Sequence, residues 1–119
     1  GVIREILTNR KENRRAVYGL ISDQTPARAE IKYRTTFLNQ DTPVFLGAEK
    51  IATKYDMPVI YMNIQKERRG FYYFTFDMLF EDPVGLPPYL ITETHVKKLE
   101  DIIRAKPEYW LWSHRRWKY

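Results

Sequence analysis

The 119 residues include 20 Lys and Arg, 15 Asp and Glu, 15% aromatic residues and no Cys. The length corresponds to one domain or part of one, and the aromatic content excludes an intrinsically disordered chain. The lack of Cys excludes a disulfide scaffold, a thiolate metal site and a Cys nucleophile, and two His leave little material for a His-rich metal site. The net charge of +5 favours an anionic partner, such as nucleic acid, an anionic membrane face or a phosphorylated substrate.

The first part of the chain predicts one helix and one strand. Apolar residues recur at helical spacing over residues 2–12, which predicts an amphipathic helix. Because this helix begins at the first residues, we expect the polypeptide to be cut from a longer one. Residues 16–22 form a continuous apolar run that is typical of a buried central strand in a parallel sheet. Residues 24–36 have no clear periodicity and predict a long loop, with Phe37-Leu38 as a short apolar island.

The next segment carries a helix start signal. Asp41 or Thr42 is expected to cap a helix that has Pro43 at its first position, where the missing N–H has no cost. Residues 56–58, Asp-Met-Pro, are expected to end this helix, because a residue that precedes proline is disfavoured in the α region.

The remainder predicts a hairpin and a last helix. Residues 59–64 and 71–80 predict two strands, which pair antiparallel because the polar turn between them (66–70) is too short for a parallel crossover. Thr92 or Thr94 is expected to cap the last helix, which Pro107 ends. The order helix, strand, helix, strand, strand, helix predicts the α/β class.

One spacing in the last helix suggests acid–base chemistry. His95 and Glu100 are separated as in a His-x4-Glu pair, in which a carboxylate orients a His general base. On one continuous helix the two residues are about 140° apart, so they face different directions. Charged neighbours, including Lys97 and Lys98, indicate a solvated face. We therefore predict that His95 is a surface residue of the first turn and not a catalytic base.

Asp23 is the other candidate for chemistry. It stands at the carboxyl end of the predicted first strand, where ligand sites gather in open α/β sheets. It is therefore a candidate to orient a substrate or a catalytic partner, and the alternative is a turn-forming Asp that bonds to its own backbone. The chain has no Gly-rich phosphate loop and no Gly-x-Ser-x-Gly elbow.

The C-terminal tail (residues 107–119) holds all three Trp among basic side chains. Its residues 107–118, Pro-Glu-Tyr-Trp-Leu-Trp-Ser-His-Arg-Arg-Trp-Lys, resemble the C-terminal motif of the bacterial lipid A biosynthesis acyltransferases, the lauroyl and myristoyl transferases. Residues 19–24 resemble that family's strand ending in Asp-Gln, and residues 43–61 resemble its helix and the following strand entry. Two positions depart from the family pattern: Asn39 replaces a Gly, and Tyr61 replaces a second Pro.

The resemblance implies a mixed sheet flanked by helices, like that of glycerolipid acyltransferases, of which this chain is the C-terminal portion. Such enzymes move a fatty acyl chain from an acyl carrier protein thioester to a hydroxyl of a lipid A precursor. They work at the cytoplasmic face of the inner membrane of Gram-negative bacteria, without a metal or dissociable cofactor. Their catalytic His-x4-Asp/Glu dyad and their membrane anchor lie N-terminal to the matched region. The 119 residues are therefore expected to be soluble and inactive alone.

The resemblance also assigns site residues. Asp23 matches the acidic position near the active site and is expected to support catalysis. His114, Arg115 and Arg116 match the terminal His-Arg-Arg and are the candidates for substrate binding. Arg suits bidentate recognition of phosphate, which lipid A precursors carry, and acyl carrier protein is acidic. The alternative for Arg115 and Arg116 is an ion pair with the body of the domain or contact with the anionic inner membrane surface.

The alternative function is a small basic module that binds nucleic acid or an anionic membrane surface. The net charge of +5 and the aromatic residues among basic ones suit stacking on bases. Nothing resembles a helix-turn-helix, a zinc finger or an RNP strand. We therefore expect no nucleic-acid partner.

Overall fold

The computed structural model describes all 119 residues as three helices, two separate antiparallel strand pairs and two short 3-10 turns. The helices are α1 (Val2–Lys11), α2 (Gly47–Tyr55) and α3 (Leu90–Ala105). The strands are β1 (Arg34–Phe37), β2 (Gln40–Pro43), β3 (Val59–Arg68) and β4 (Phe71–Phe80). The helices and strands agree with the predicted α/β class. No helix combines the length and the apolar character that a membrane span requires.

The core lies where α3 packs against the β1–β2 hairpin. Its cluster of buried residues consists of Phe37, Val44, Val96 and Ile103. Val96 and Ile103 are two helical turns apart and therefore lie on the same face of α3. Trp110 and Trp117 of the tail pack against this cluster, each with its ring centroid 6.3 Å from that of Phe37. The tail is thus part of the core packing.

The first part of the chain follows the prediction only in its helix. The predicted helix at residues 2–12 is observed as α1, and its Ile6 is buried. The predicted strand at residues 16–22 is wrong, because this run is neither helix nor strand. Val17 is 95% exposed and Ile21 is 79% exposed. A strand needs a neighbour for its hydrogen bonds, and both observed sheets are formed by other segments.

The predicted helix start at Pro43 is also wrong, because residues 40–43 form β2. Leu38 and Asn39, with φ of 49° and 63°, form the two-residue turn between β1 and β2. A turn with two positive φ angles matches the twist of an antiparallel pair. The predicted loop at residues 24–36 is therefore wrong at its end, because residues 34–36 belong to β1. Asn tolerates positive φ better than most residues, so Asn39 is a conservative replacement for Gly at this turn.

The helix α2 begins at Gly47, four residues after Pro43, and ends where the sequence predicted. Asp56, the residue after α2, has a left-handed φ of 50°, and its backbone N–H donates to the Ala52 carbonyl. This geometry stops the helix before Pro58, in agreement with the predicted end at residues 56–58.

The second hairpin confirms the prediction most closely. β4 covers residues 71–80 as predicted, and β3 pairs with it antiparallel. β3 continues to Arg68, so the turn is shorter than predicted and is closed by Gly70 at φ 79°. One face of this ribbon carries apolar side chains that are 51–66% exposed: Ile60, Met62, Ile64, Phe74, Phe76 and Met78. The other face meets α3, where Lys98 and Asp77 form a 2.8 Å ion pair.

The start of α3 differs from its predicted caps. The helix begins at Leu90, ahead of both Thr92 and Thr94. The Glu49 carboxylate of α2 accepts the backbone N–H groups of Tyr89 and Thr92, each at 3.1 Å. A carboxylate from another helix therefore satisfies donors that a Thr side chain was expected to satisfy. α3 ends at Ala105, just before Pro107, as predicted.

Candidate functional site

The tail is joined to the Asp23 segment (residues 23–25) through Thr25. The backbone N–H of Thr25 donates to Nε2 of His114 at 3.2 Å. The Thr25 hydroxyl donates to the carbonyl oxygen of Arg116 at 2.6 Å, and the carbonyl oxygen of Arg115 lies 3.2 Å away. Segments up to 91 positions apart in sequence thus meet at one place. We call this place the Thr25 junction. It joins the Asp23 segment to the His114 ring and to the backbone carbonyl groups of Arg115 and Arg116.

Packing against the core explains why the tail lies there. The Trp117 Nε1 donates to the Thr42 hydroxyl at 2.8 Å, and the Trp117 ring packs beside Phe37. Trp110 contacts the edge of the Phe37 ring, with 66° between the two planes. Trp112 is 55% exposed and donates to the Pro107 carbonyl at 2.6 Å. Two indoles on the core and one outside it hold the intervening residues 113–116 in position.

Arg116 is buried at the junction, with 3% of its surface exposed. Its Nε and Nη1 have no hydrogen-bond partner, and its Cζ lies 5.7 Å from the centre of the Phe37 ring. Burial lowers the pKa of Arg116 below its ordinary value, and the charge of Asp23 opposes this shift. A guanidinium stays protonated in proteins, so the junction contains a buried, unpaired positive charge.

Asp23 is half-buried. Its charge acts on Arg116 and also on Tyr61 of β3. The pKa of Tyr61 is raised to about 12, first by burial and then by Asp23. No strand precedes Asp23, so the prediction that it stands at the carboxyl end of a strand is wrong. The tertiary hydrogen bonds of its segment are those of Thr25, two residues further on.

His114 and Arg115 differ in what they offer to a ligand. His114 is half-buried, and its Nε2 accepts the Thr25 N–H, so the neutral ring carries its proton on Nδ1. Nε2 is therefore not free to accept a substrate proton while this hydrogen bond is formed. Arg115 is exposed and is the guanidinium of the tail that faces solvent. Thr25 itself was missed by sequence reasoning, and its only signal was its place directly after Asp23-Gln24.

The prediction that His95 is a surface residue is wrong, because His95 and Glu100 are both only 9% exposed. Glu100 accepts the backbone N–H of Leu38 at 2.8 Å and therefore holds the β1–β2 turn against α3. Nε2 of His95 is buried without a partner, and burial lowers the pKa of this ring below its ordinary value of 6.5. Glu100 makes its contacts with Leu38, Lys97 and Arg104, and none with His95, as the helical geometry predicted.

The chain has no group of three His, Asp or Glu side chains arranged to hold a metal ion. A family model described as bacterial lipid A biosynthesis acyltransferase matches residues 1–119, the whole chain. No curated protein and no solved structure gives a significant match. The family match includes both the Asp23 segment and the tail, and it confirms the resemblance that those residues carry. The chain therefore belongs to the bacterial lipid A biosynthesis acyltransferase family.

Proposed function

We propose that the protein containing this chain transfers a fatty acyl group from an acyl carrier protein thioester to a hydroxyl of a lipid A precursor. In this reaction the hydroxyl oxygen bonds to the thioester carbonyl carbon, the carbon–sulfur bond breaks, and the hydroxyl proton leaves through a base to the released thiol. The family match supports acyl transfer to lipid A. The observation that supports this site is the Thr25 junction, in which Thr25, two residues after Asp23, is hydrogen-bonded to His114 and Arg116.

We propose further that the general base comes from polypeptide outside these 119 residues. The reason lies in the two His residues of the chain. Nε2 of His114 accepts the Thr25 N–H, and Nε2 of His95 is buried with no carboxylate bonded to the ring. Neither is a His–carboxylate pair of the kind a general base needs. The 119 residues alone are therefore expected to be inactive. We also propose that the intact protein works at the cytoplasmic face of the inner membrane.

The fold of the intact protein follows the same proposal. We propose that the two strand pairs belong to a mixed sheet flanked by helices, as in glycerolipid acyltransferases, and that residues 1–119 form its C-terminal portion. The apolar face of the β3–β4 ribbon supports this arrangement, since its side chains are more than half exposed. Apolar surface of this extent is normally covered by another layer of structure.

Asp23, Arg115 and His114 have distinct roles in the proposal. Asp23 supports catalysis by orienting the acyl acceptor or the base. Arg115 meets a phosphate of the lipid A precursor or an acidic side chain of acyl carrier protein, because it is exposed and carries a guanidinium fork. His114 holds the Thr25 junction at the edge of this site. No contact with nucleic acid is part of the proposal.

The test is acyl transfer by the full-length protein, with acyl carrier protein thioester as donor and a lipid A precursor as acceptor. Asp23→Asn is expected to lower kcat by about a hundredfold, the lower end of the range for acid–base effects. Arg115→Ala is expected to raise KM with a smaller effect on kcat. The matched controls are Asp82→Asn and Arg4→Ala, two exposed positions away from the junction. Unchanged kinetics in both site variants would remove the junction from the active site.

A further inference from the structure

The buried guanidinium of Arg116 is the one feature of the Thr25 junction that the roles above do not use. It is 97% buried, and its Nε and Nη1 donors have no partner. The ring of Phe37 faces its Cζ at 5.7 Å, which offers a cation–π contact but accepts no hydrogen bond. An unpaired buried charge is strongly destabilising, so a partner for this group is expected in the working protein.

The backbone around Arg116 points to which group that partner is. The Thr25 hydroxyl donates to the Arg116 carbonyl oxygen at 2.6 Å, so the Asp23 segment is fixed to Arg116 two residues away from the carboxylate. Asp23 is also the acidic residue whose charge acts on Arg116. A carboxylate matches the planar guanidinium fork with two parallel hydrogen bonds.

We propose that Arg116 is a positioning residue for Asp23: its guanidinium pairs with the Asp23 carboxylate in the assembled active site and fixes the direction in which that carboxylate points. In this arrangement the tail holds the Asp23 segment in place through several contacts. Thr25 and His114 hold the backbone of the Asp23 segment, Trp110 and Trp117 hold the tail on the core, and Arg116 holds the carboxylate. Arg115, which is exposed, remains available to a ligand. This inference rests on the supporting role proposed for Asp23.

The test is a double-mutant cycle of Asp23→Asn and Arg116→Met in the full-length protein, read by chemical denaturation and not by activity. Met keeps the apolar contact with Phe37 and removes the fork. If the two side chains pair, the effects of the two substitutions are expected to be non-additive by a factor of about five or more in the unfolding equilibrium constant. The matched control cycle is Lys97→Met with Asp101→Asn, an exposed 2.7 Å ion pair, for which a weak coupling is expected. Additive effects of Asp23→Asn and Arg116→Met would overturn the proposal.

Two further measurements separate this role from others. If Arg116→Met does not fold, the cycle is made with Arg116→Lys, which keeps the charge but lacks the planar fork. Its coupling to Asp23→Asn is expected to be measurable but smaller than the factor of about five expected for Arg116→Met. The competing role for Arg116 is binding of an anionic ligand, which is tested by adding inorganic phosphate during denaturation. If phosphate stabilises the wild type, Arg116→Met abolishes this stabilisation and Asp23→Asn strengthens it, Arg116 is an anion site and the pairing is overturned. Because denaturation needs no turnover, a failure of acyl transfer would be seen separately.

Discussion

The tail and the β3–β4 ribbon are both rich in aromatic residues, yet they end in opposite environments. Trp110 and Trp117 of the tail pack against Phe37, which is 1% exposed. In the ribbon, Phe74 and Phe76 are 55% and 66% exposed. The difference lies in what each segment meets. The tail lies against a surface that α3 and the β1–β2 hairpin form together, whereas the corresponding face of the ribbon meets no other element of this chain.

The comparison teaches that aromatic content predicts a need for burial but not its location. A ladder of antiparallel hydrogen bonds forms the ribbon without help from its apolar face. The tail has only short turns, so its position depends on side-chain packing and on hydrogen bonds such as that from Trp117 to Thr42. For the 119-residue chain we therefore expect substitutions at the tail contacts to affect stability, and substitutions on the exposed ribbon face to have little effect.

The largest effect is expected for Phe37→Ala. It removes the ring on which both tail indoles pack, and an aromatic-to-Ala change in a core costs about 3–5 kcal/mol of unfolding free energy. The control is Phe76→Ala on the exposed ribbon face, which in the 119-residue chain is expected to change this free energy by no more than about 0.5 kcal/mol. Urea denaturation followed by Trp fluorescence measures both. Equal losses in the two variants would refute the contrast between tail and ribbon.

A smaller loss is expected for Glu100→Ala, which leaves the partly buried N–H of Leu38 without its acceptor. An unsatisfied buried donor costs about 1–3 kcal/mol of unfolding free energy. The neighbouring exposed Asp101→Ala is expected to stay within about 0.5 kcal/mol. Differential scanning calorimetry of the two variants checks the order, and a larger loss at Asp101 would contradict the role given to Glu100 in holding the β1–β2 turn.

Thr25→Val tests the junction itself. It removes the hydroxyl that donates to the Arg116 carbonyl and keeps the side-chain shape, so a loss of about 1 kcal/mol is expected. Thr36→Val is the control, because Thr36 is an exposed β1 residue without a side-chain hydrogen bond. Hydrogen exchange of the tail amides gives a second readout. Exchange is expected to rise in Thr25→Val only, and unchanged protection would show that Trp packing alone holds the tail.

The smallest effect is a pH dependence that arises at His95. Burial lowers the pKa of its ring in the folded state, so the unfolded state binds a proton first as the pH falls. Stability from the neutral ring is therefore full above the ordinary pKa of 6.5 and is lost as the pH falls below it. The unfolding free energy is measured between pH 5 and 8, a window set by the reference His pKa of about 6.5. It is expected to vary less with pH in His95→Gln than in the wild type. An equal slope in both proteins would assign the dependence to other groups.

Local patterns in the sequence predicted the elements that need no distant partner. The end of α2 follows from the residue before Pro58, and β4 follows from its run of strand-forming aromatic residues. The same reasoning was wrong at residues 16–22 and at Pro43. An apolar run becomes a strand only if another strand pairs with it, and Pro43 follows a turn at Leu38-Asn39 whose positive φ angles the sequence pattern did not reveal.

The sequence by itself determined the family, because the tail motif and the Asp-Gln element depend on residue identity alone and the family model matches all 119 residues. It also determined which residues are candidates for the site. Only the tertiary structure decided that Asp23 and the tail meet at Thr25, that Arg116 is buried, and that His95 and Glu100 lie inside. The physical reason is that burial and long-range hydrogen bonds depend on which surfaces the folded chain brings together, whereas turns, periodicity and motifs depend on neighbours along the chain.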